Sequence, residues 1–374
     1  MSKPKIRFKG YEEDWQQRKL SEIATMHARI GWQNLRTSEF LDSGDYMLIT
    51  GTDFEDGTIN YSTCHYVEKE RYEQDKNIQI RNGSILITKD GTLGKVAYVQ
   101  GLTMPATLNA GVFNVEIKDK KETDEKYLFQ YLKAPFLMDY VTRHATGGTI
   151  KHLNQSILIN FPVYMPKKSE QEKIGLYLMQ LDSLITLHQR KCEETKKLKK
   201  YMLQKMFPQN GKRVPEIRFA GFTDDWEQRK LSDVVDSVDT GKSKFDKEGS
   251  SGEYPILGST SVIGYDDEYD YEGDFILTAR VGANAGSLYR HAGKVKISDN
   301  TVFIQASQNI EFLYQLLIRF DIKRLSFGTG QPLVKASELK RLELMMPTDM
   351  EEQMRIGVYF KRLFQVLCKH KKLI

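Results

Sequence analysis

The stretch SEQEKIGLYLMQLDSLITLHQRKCEETKKLKKYMLQKMF, residues Ser169–Phe207, decides the fold of this chain. Its apolar residues recur at spacings of three and four, which is typical of a helix with a coiled-coil seam. At about 1.5 Å per residue, its 39 residues would span about 58 Å. The sequence therefore predicts a spacer helix over residues 169–208. Its predicted packing residues are Ile174, Leu178, Leu181 and Ile185.

The same helical pattern returns at the end of the chain, over residues 347–374. Adding 182 to the numbers of the first seam gives a second seam, which His370 and Ile374 continue. If the two seams pack together, the helices must run antiparallel. The second helix stops at the counterpart of Cys192, and we hypothesise that this shortened helix weakens the assembly. Its predicted packing residues are Ile356, Phe360, Leu363 and Leu367.

A second repeat marks the start of each half. PKIRFKGYEEDWQQRKLSEIA, from Pro4 to Ala24, returns as PEIRFAGFTDDWEQRKLSDVV, from Pro215 to Val235. Ten of eighteen positions are identical between Arg7–Ala24 and Arg218–Val235, so the chain is an internal duplication. The repeats predict an α+β protein with two mixed α/β domains, residues 1–168 and 209–346, joined by two long antiparallel coiled-coil helices.

Each predicted domain contains apolar runs with strand composition, followed by an apolar helix. The predicted helices lie over residues 126–141 and 311–325. The predicted strands lie over residues 46–51, 84–89, 95–99 and 111–117 in the first domain, and over 254–258, 274–280, 286–290 and 301–305 in the second.

Composition narrows the functional class. The chain has 374 residues, a formal net charge of +5 and three scattered cysteines without metal-binding spacing. This pattern predicts reduced thiols in a cytoplasmic protein without an export signal, a membrane span or a metal site. Thr240-Gly241-Lys242-Ser243 resembles the end of a phosphate-binding loop but lacks its earlier glycine. No catalytic motif was found, and the sequence predicts a non-catalytic chain.

Glycine-rich loops with basic and hydroxyl side chains occur at corresponding places in both halves. Exposed glycines let a backbone approach phosphate, while lysine, arginine, asparagine, glutamine and threonine contact phosphates or base edges. We therefore predict that these loops bind DNA. The candidate residues are Lys89, Thr92, Lys95, Thr146, Thr149, Lys151 and His152 in the first half, and Arg280, Asn284, Thr329, Gln331 and Lys335 in the second.

These features together resemble the specificity subunits of bacterial type I restriction-modification systems. The resemblance rests on the repeated Phe-x-Gly-x-x-x-Asp-Trp motif, the glycine-rich loops and the Pro-then-Glu-Gln helix starts, and it covers almost the whole chain. It implies two target-recognition domains, each reading half of a bipartite asymmetric site in double-stranded DNA, with helices that set the spacing and dock partner subunits.

The resemblance also implies how the chemistry is divided among subunits. Two modification subunits would use S-adenosylmethionine, and two restriction subunits with motor and nuclease activity would use ATP and Mg²⁺, while this chain would bind no cofactor. Two alternatives remain open at this point: a stand-alone bivalent DNA-binding protein, such as a regulator, and a nuclease.

Overall fold

The computed structural model describes residues 4–91, 93–144, 152–209, 211–244, 251–325 and 332–372. The chain forms two compact units, Met1–Leu184 and Ile185–Ile374, and their boundary falls inside the long helix. Each unit contains short mixed strands followed by apolar helices, in agreement with the duplicated α+β architecture.

Unit 1 contains many short strands and helices. Its strands are β1 (Gln16–Lys19), β2 (Ala24–His27), β3 (Met47–Ile49), β4 (Phe54–Glu55), β5 (Thr58–Ile59), β6 (His65–Tyr66), β7 (Gln79–Ile80), β8 (Ile85–Thr88), β9 (Val96–Tyr98), β10 (Ala106–Leu108), β11 (Val112–Ile117) and β12 (Pro162–Met165). Its helices are α1 (Leu20–Ile23), α2 (Lys69–Glu73), α3 (Glu125–Lys133), α4 (Phe136–His144), α5 (Gln155–Leu158) and α6 (Lys168–Lys205), of which α6 continues into unit 2.

Unit 2 has longer strands. They are β13 (Glu227–Lys230), β14 (Ser237–Thr240), β15 (Tyr254–Leu257), β16 (Val262–Asp266), β17 (Tyr271–Ala279), β18 (Leu288–Ile297), β19 (Thr301–Gln305) and β20 (Glu343–Met346). Its further helices are α7 (Ile310–Phe320), α8 (Ala336–Lys340) and α9 (Met350–Lys372).

The two units share a sheet topology. Unit 1 has the antiparallel order β2-β11-β8-β9, and unit 2 begins its sheet with the equivalent order β14-β19-β17-β18. Unit 2 extends this sheet with β15 and β16, whereas unit 1 has a separate sheet of order β6-β3-β10-β7. The common sheet therefore preserves the duplication, and the added strands differ between the copies.

The predicted helices over residues 126–141 and 311–325 are each interrupted. In unit 1, α3 ends at Lys133 and α4 begins at Phe136, because Pro135 lacks an amide hydrogen and disfavours a helical residue before it. In unit 2, α7 ends at Phe320, and Asp321 takes a left-handed φ of 62° before a short 3-10 turn. The single-helix predictions were therefore wrong in extent.

The repeated N-terminal motif closes each unit by pairing with the segment that enters the long helix. Strand β1 pairs antiparallel with β12, and β13 pairs in the same way with β20. Beside these strands the Arg7 guanidinium donates to both carboxylate oxygens of Glu170, at 2.6 and 2.7 Å. Arg218 donates in the same bidentate manner to Glu352, at 2.7 and 2.8 Å. We call each strand pair with its ion pair a clasp.

The clasp carboxylates are almost inaccessible to water, with side-chain exposures of 0% for Glu170 and 1% for Glu352. Hydrogen bonding to these carboxylates raises the pKa of Arg7 and of Arg218 above the usual arginine value. A charge in such a place is stable only with its partner, so each clasp fixes the N-terminal segment against the helix start.

A glycine lets each helix start approach the neighbouring helix. A Cβ added to Gly175 would lie 2.6 Å from the Tyr127 backbone nitrogen, and one added to Gly357 would lie 2.8 Å from the Phe312 backbone nitrogen. These distances are shorter than a carbon can tolerate against backbone. The Ile-Gly-x-Tyr motif of both helices therefore marks a helix crossing at which only glycine fits.

Within unit 2, the end of α6 and the residues that directly follow it pack against α9. Phe207 contacts the Phe360 ring with centroids 6.1 Å apart, and Lys199 Nζ lies 6.0 Å from the Phe364 ring centroid. The partner later in α9 contacts the residue earlier in α6, so the two segments run antiparallel. Burial at this contact lowers the pKa of Lys199.

The predicted packing residues of the two helices differ in burial. Ile356 and Phe360 are buried in the unit 2 core, and Leu363 and Leu367 are half-buried. Ile174 and Leu178 are also half-buried, while Leu181 and Ile185 are exposed. Ile374 and the side chain of His370, which continue the second seam, lie outside the described residues. In the part of the chain that the structure describes, no helix is long and apolar enough to cross a membrane.

The glycine crossing gives a first prediction. A helical Gly→Ala change usually stabilises by about 1 kcal/mol, but the Cβ of Gly175→Ala would clash with backbone, at an overpacking cost of about 1–3 kcal/mol. We expect a net loss of stability in urea unfolding monitored by circular dichroism. Gly31→Ala is the control, because nothing lies within 4 Å of its added Cβ. Equal or greater stability of Gly175→Ala would contradict the close crossing.

The clasp gives a second prediction, with adjacent residues as test and control. Glu352→Gln leaves the Arg218 charge buried without its counter-ion and should cost about 3–5 kcal/mol. Glu351→Gln removes only an exposed pair with Arg355 and should change the free energy of unfolding by less than about 0.5 kcal/mol. Similar unfolding midpoints for both variants would show that the clasp does not hold unit 2 together.

Candidate nucleic-acid interface

In unit 1 the first predicted loop connects β8 to β9. The Gly94 amide donates to the Thr88 carbonyl at 2.9 Å, and the Lys95 amide donates to the Thr88 hydroxyl at 3.0 Å. Gly91 and Gly94 both have a φ of +71°, in the left-handed region that favours glycine. The glycines are therefore required by the turn, which leaves the Lys95 side chain exposed.

The second predicted loop of unit 1 ends beside the first. The Leu153 amide donates to the Lys89 carbonyl at 2.8 Å, and His152 Nδ1 lies 2.5 Å from Asp90 Oδ1. The Lys89 ammonium lies 5.5 Å from the centroid of the Phe113 ring, in a cation–π contact. The structure thus brings Lys89, Lys95 and His152 together at one end of the β2-β11-β8-β9 sheet.

Unit 2 has an equivalent backbone hydrogen bond between its two predicted loops, with different side chains around it. We call this bond the tether in both units. The Val334 amide donates to the Arg280 carbonyl at 2.8 Å, and the Gly282 amide donates to the Pro332 carbonyl at 3.0 Å. The side chains of Arg280 and Asn284 are exposed. Lys335 follows directly after the tether and is also exposed, 3.7 Å from a carboxylate oxygen of Glu338.

Several predicted residues cannot be placed in this arrangement. Those that lie outside the described residues are Thr92, Thr146, Thr149, Lys151, Thr329 and Gln331. The structure does describe the residue that follows the second predicted loop of each unit. Its amide donates a hydrogen bond to the start of the first predicted loop, from Leu153 to Lys89 and from Val334 to Arg280.

Two further lysines reach this end of unit 2. The Asp299 amide donates to the Ser243 carbonyl at 3.1 Å, and the Arg280 amide donates to the Asn300 carbonyl at 2.9 Å, so residues 242–244 run beside Arg280. Lys242 and Lys244 are both exposed. A Cβ on Gly241 would lie 2.2 Å from the Ile297 carbonyl oxygen, so the glycine of Thr240-Gly241-Lys242-Ser243 serves sheet packing. That motif, which the sequence suggests only as an incomplete nucleotide site, is the signal in the sequence that marks these lysines.

The chemistry available at both sites is that of binding. Lysine and arginine cations, an asparagine amide and backbone donors at loop ends suit phosphate oxygens and base edges. Among the residues that the structure describes, no group of three or more histidine, cysteine, aspartate or glutamate side chains could hold a metal ion. All three cysteines are free thiols.

Comparison with known proteins identifies the family to which this chain belongs. The family model for the type I restriction modification DNA specificity domain matches residues 12–197 and 223–374. The specificity subunit of type I restriction enzyme MjaVIII from Methanocaldococcus jannaschii is 26% identical over 339 residues, covering 80% of this chain and 77% of that protein. A putative MjaX specificity subunit from the same organism is 24% identical over 382 residues, covering 94% and 87%.

A solved structure shows the same fold. The type I restriction-modification S subunit from M. genitalium superimposes with a TM-score of 0.70 at 17% identity, covering 99% of this chain and 94% of that one. Two family matches on one chain agree with the duplication seen in the sequence and in both sheets. The chain belongs to the family of type I restriction-modification specificity subunits, whose non-catalytic role is to provide DNA sequence specificity.

Proposed function

We propose that each unit reads one half of a bipartite, asymmetric DNA site through its pair of tethered loops. The observation that carries this proposal is the repeated hydrogen bond, Leu153 to Lys89 in unit 1 and Val334 to Arg280 in unit 2, each 2.8 Å long. The same backbone bond holds two candidate DNA-binding loops together in both units. The backbone arrangement of the two loops is thus equivalent in units 1 and 2, while the side chains on the loops differ.

The side-chain differences support an asymmetric target. Unit 1 presents Lys89, Lys95 and a paired His152, whereas unit 2 adds Arg280 and Asn284 to its exposed lysines. Arginine presents a planar fork to guanine and asparagine contacts adenine in a bidentate manner, whereas lysine is a compact point charge without such a fork. Two equivalent loop pairs with unlike donors would therefore read unlike half-sites.

We further propose that α6 acts as the spacer between the two readings. It is continuous over 38 residues and contributes to both units. Two domains that read half-sites on one duplex are typically separated by about one helical turn, roughly 34 Å, or more. A continuous helix would keep the unread gap between half-sites constant.

The partners in this proposal are two modification subunits using S-adenosylmethionine and two restriction subunits using ATP and Mg²⁺, in the cytoplasm. A duplicated exposed surface supports the number of modification subunits. Leu176 and Leu184 on α6 are exposed, and so are their counterparts Val358 and Val366 on α9. Apolar residues exposed at the same places in both copies suit two equivalent docking surfaces.

Methylation mapping tests the two-reader proposal. Co-expression of this chain with its modification subunit, followed by single-molecule sequencing, should show a split motif with a fixed unread gap and one methylated adenine in each half. Lys89→Ala with Lys95→Ala should reduce or relax recognition of one half only. A continuous motif, or loss of both half-specificities together, would be inconsistent with separate reading.

A binding experiment tests the role of Arg280. We expect Arg280→Ala to weaken binding of the assembled complex to its site by about 1–3 kcal/mol if the side chain contacts a base, with relaxed specificity at that position. Contact with phosphate alone would instead lower affinity for all sequences and reduce the salt slope by about 1.

The matched control is Arg213→Ala, an exposed arginine of unit 2 whose carbonyl accepts from the Trp226 amide, near the clasp. Fluorescence anisotropy against cognate and scrambled duplexes over a salt series measures both variants. Equal affinities for wild type and Arg280→Ala would remove Arg280 from the interface. Tight specific binding by this chain alone would instead favour a stand-alone DNA-binding protein.

A further inference from the structure

The loop that follows β3 lies beside the candidate DNA-binding residues of unit 1. We call residues 50–53 the threonine loop. A Cβ added to Gly51 would lie 3.1 Å from Thr88 Cγ2, and Thr88 directly precedes Lys89 in the chain. The side chain of Thr52 is exposed. The threonine loop therefore adjoins the β8–β9 loop, although the glycine-rich pattern of the sequence did not include it.

The duplication places a loop at the same point of unit 2. The added strands differ between the units, but one parallel pair is common to both: β3 with β10, and β15 with β18. In each pair, the amide that follows the second strand donates to the last carbonyl of the first strand at 2.9 Å, from Asn109 to Ile49 and from Ser298 to Leu257. The loops after β3 and β15 are therefore equivalent.

In unit 2 this loop is hydrogen-bonded to the candidate interface. The Asn300 carbonyl accepts both from the Arg280 amide at 2.9 Å and from the Ser259 hydroxyl at 3.3 Å. Thr260 follows Ser259 and is exposed, as is its counterpart Thr52. In both units, an exposed threonine thus lies close to the first predicted DNA-binding loop.

A buried carboxylate determines the direction of the hydrogen bonds in the threonine loop. Asp53 is 3% exposed, and its Oδ2 accepts from the Thr50 amide at 2.8 Å and from the Thr50 hydroxyl at 2.9 Å. Its other oxygen, Oδ1, accepts from the Thr63 hydroxyl at 2.8 Å. A hydroxyl carries a single hydrogen, so the hydrogen of Thr50 is directed at Asp53.

The Thr52 hydroxyl is left as a hydrogen-bond acceptor. Thr52 Oγ1 lies 2.6 Å from Thr50 Oγ1, and Thr52 must donate in this bond because the hydrogen of Thr50 is already used. Toward solvent, the Thr52 oxygen can then only accept. Phosphate oxygens also only accept, so they do not suit it, whereas the exocyclic amino groups of adenine and cytosine are donors in the major groove.

We propose that Thr52 is a specificity-determining residue, which accepts a hydrogen bond from the exocyclic amino group of an adenine or a cytosine in the half-site read by unit 1. This inference rests on the proposed function, because it requires unit 1 to read DNA. It adds the direction of one hydrogen bond, and hence a class of base at one position of the site.

Thr52→Val tests the proposal in the complex assembled with the modification subunit, because valine keeps the shape of threonine but cannot accept a hydrogen bond. Fluorescence anisotropy compares the cognate duplex with duplexes in which one adenine is replaced by purine, or one cytosine by pyrimidinone, so that a single amino group is missing. With the wild-type chain, one replacement in the unit 1 half should weaken binding by about three- to tenfold through loss of this bond.

The variant should respond differently at that position alone. Thr52→Val should bind the cognate duplex about three- to tenfold more weakly than wild type, and the same replacement should weaken it no further. Thr52→Ser keeps the hydroxyl and should keep the sensitivity to the missing amino group. A merely structural role of Thr52 would not link its hydroxyl to one amino group.

Thr58→Val is the matched control, the same substitution at another exposed threonine of unit 1. The Thr58 hydroxyl donates to the Glu55 carbonyl at 2.9 Å, in the turn between β4 and β5. Its loss should leave the affinity for every duplex unchanged. Equal thermal midpoints by circular dichroism verify folding, and the duplex series with the wild-type chain tests the proposal without any variant.

Three outcomes would overturn the role of Thr52. One is wild-type binding that no missing amino group in the unit 1 half weakens, and another is full sensitivity retained by Thr52→Val. The third is an equal loss of affinity of Thr52→Val for all sequences, which would indicate a contact with the DNA backbone. A wild-type complex without any sequence preference would overturn the two-reader function as well, so the two failures are distinguishable.

Discussion

The bidentate pair between a buried glutamate at the start of a long helix and an arginine near the start of each unit is the contact on which the architecture depends. Glu170 and Glu352 lie in sites that exclude water, and each accepts both of its bonds from one guanidinium. The pair ties together residues 163 positions apart in unit 1 and 134 apart in unit 2. A buried charge without its partner is strongly destabilising. The first segment of each unit and the start of its long helix are therefore expected to associate and separate together.

The clasp also explains which parts of the sequence are repeated. The motif of the first segment, the Met-Pro step and the Ile-Gly-x-Tyr core all contribute to the same junction between a strand pair and a helix crossing. Lys89 and Arg280 lie at the far ends of strands in the common sheet and differ between the copies. The duplication thus preserves the junction while the surfaces proposed to contact DNA have diverged.

The strongest sequence patterns predicted the fold well. The helix over Ser169–Phe207 forms α6, Lys168–Lys205, because a long seam without internal proline leaves few alternatives. Strands such as β8 and β19 matched apolar runs. The β1–β12 pair was missed because Gln16–Lys19 is wholly exposed and has no alternating apolar pattern. In the second sheet of unit 1, β3 was predicted over residues 46–51, whereas β6, β7 and β10 were missed because they are only two or three residues long.

The interface was less predictable than the fold. Glycine-rich loops could be located, but the hydrogen bonds that join them, such as Val334 to Arg280, connect residues far apart in sequence. Leu181 shows a related limit: heptad spacing identifies it as a packing residue, but its side chain is 37% exposed.

The wide separation of the clasp partners has a kinetic consequence. During synthesis, unit 1 can close only after Glu170 has left the ribosome, whereas unit 2 can close only after Glu352 has done so. Until then, Met206 and Phe207, which directly follow α6, lack the rest of the core that contains Phe360 and remain apolar surface on a nascent chain. Contacts of such high sequence separation form slowly, so both nascent units are expected to depend on chaperones until their clasps close.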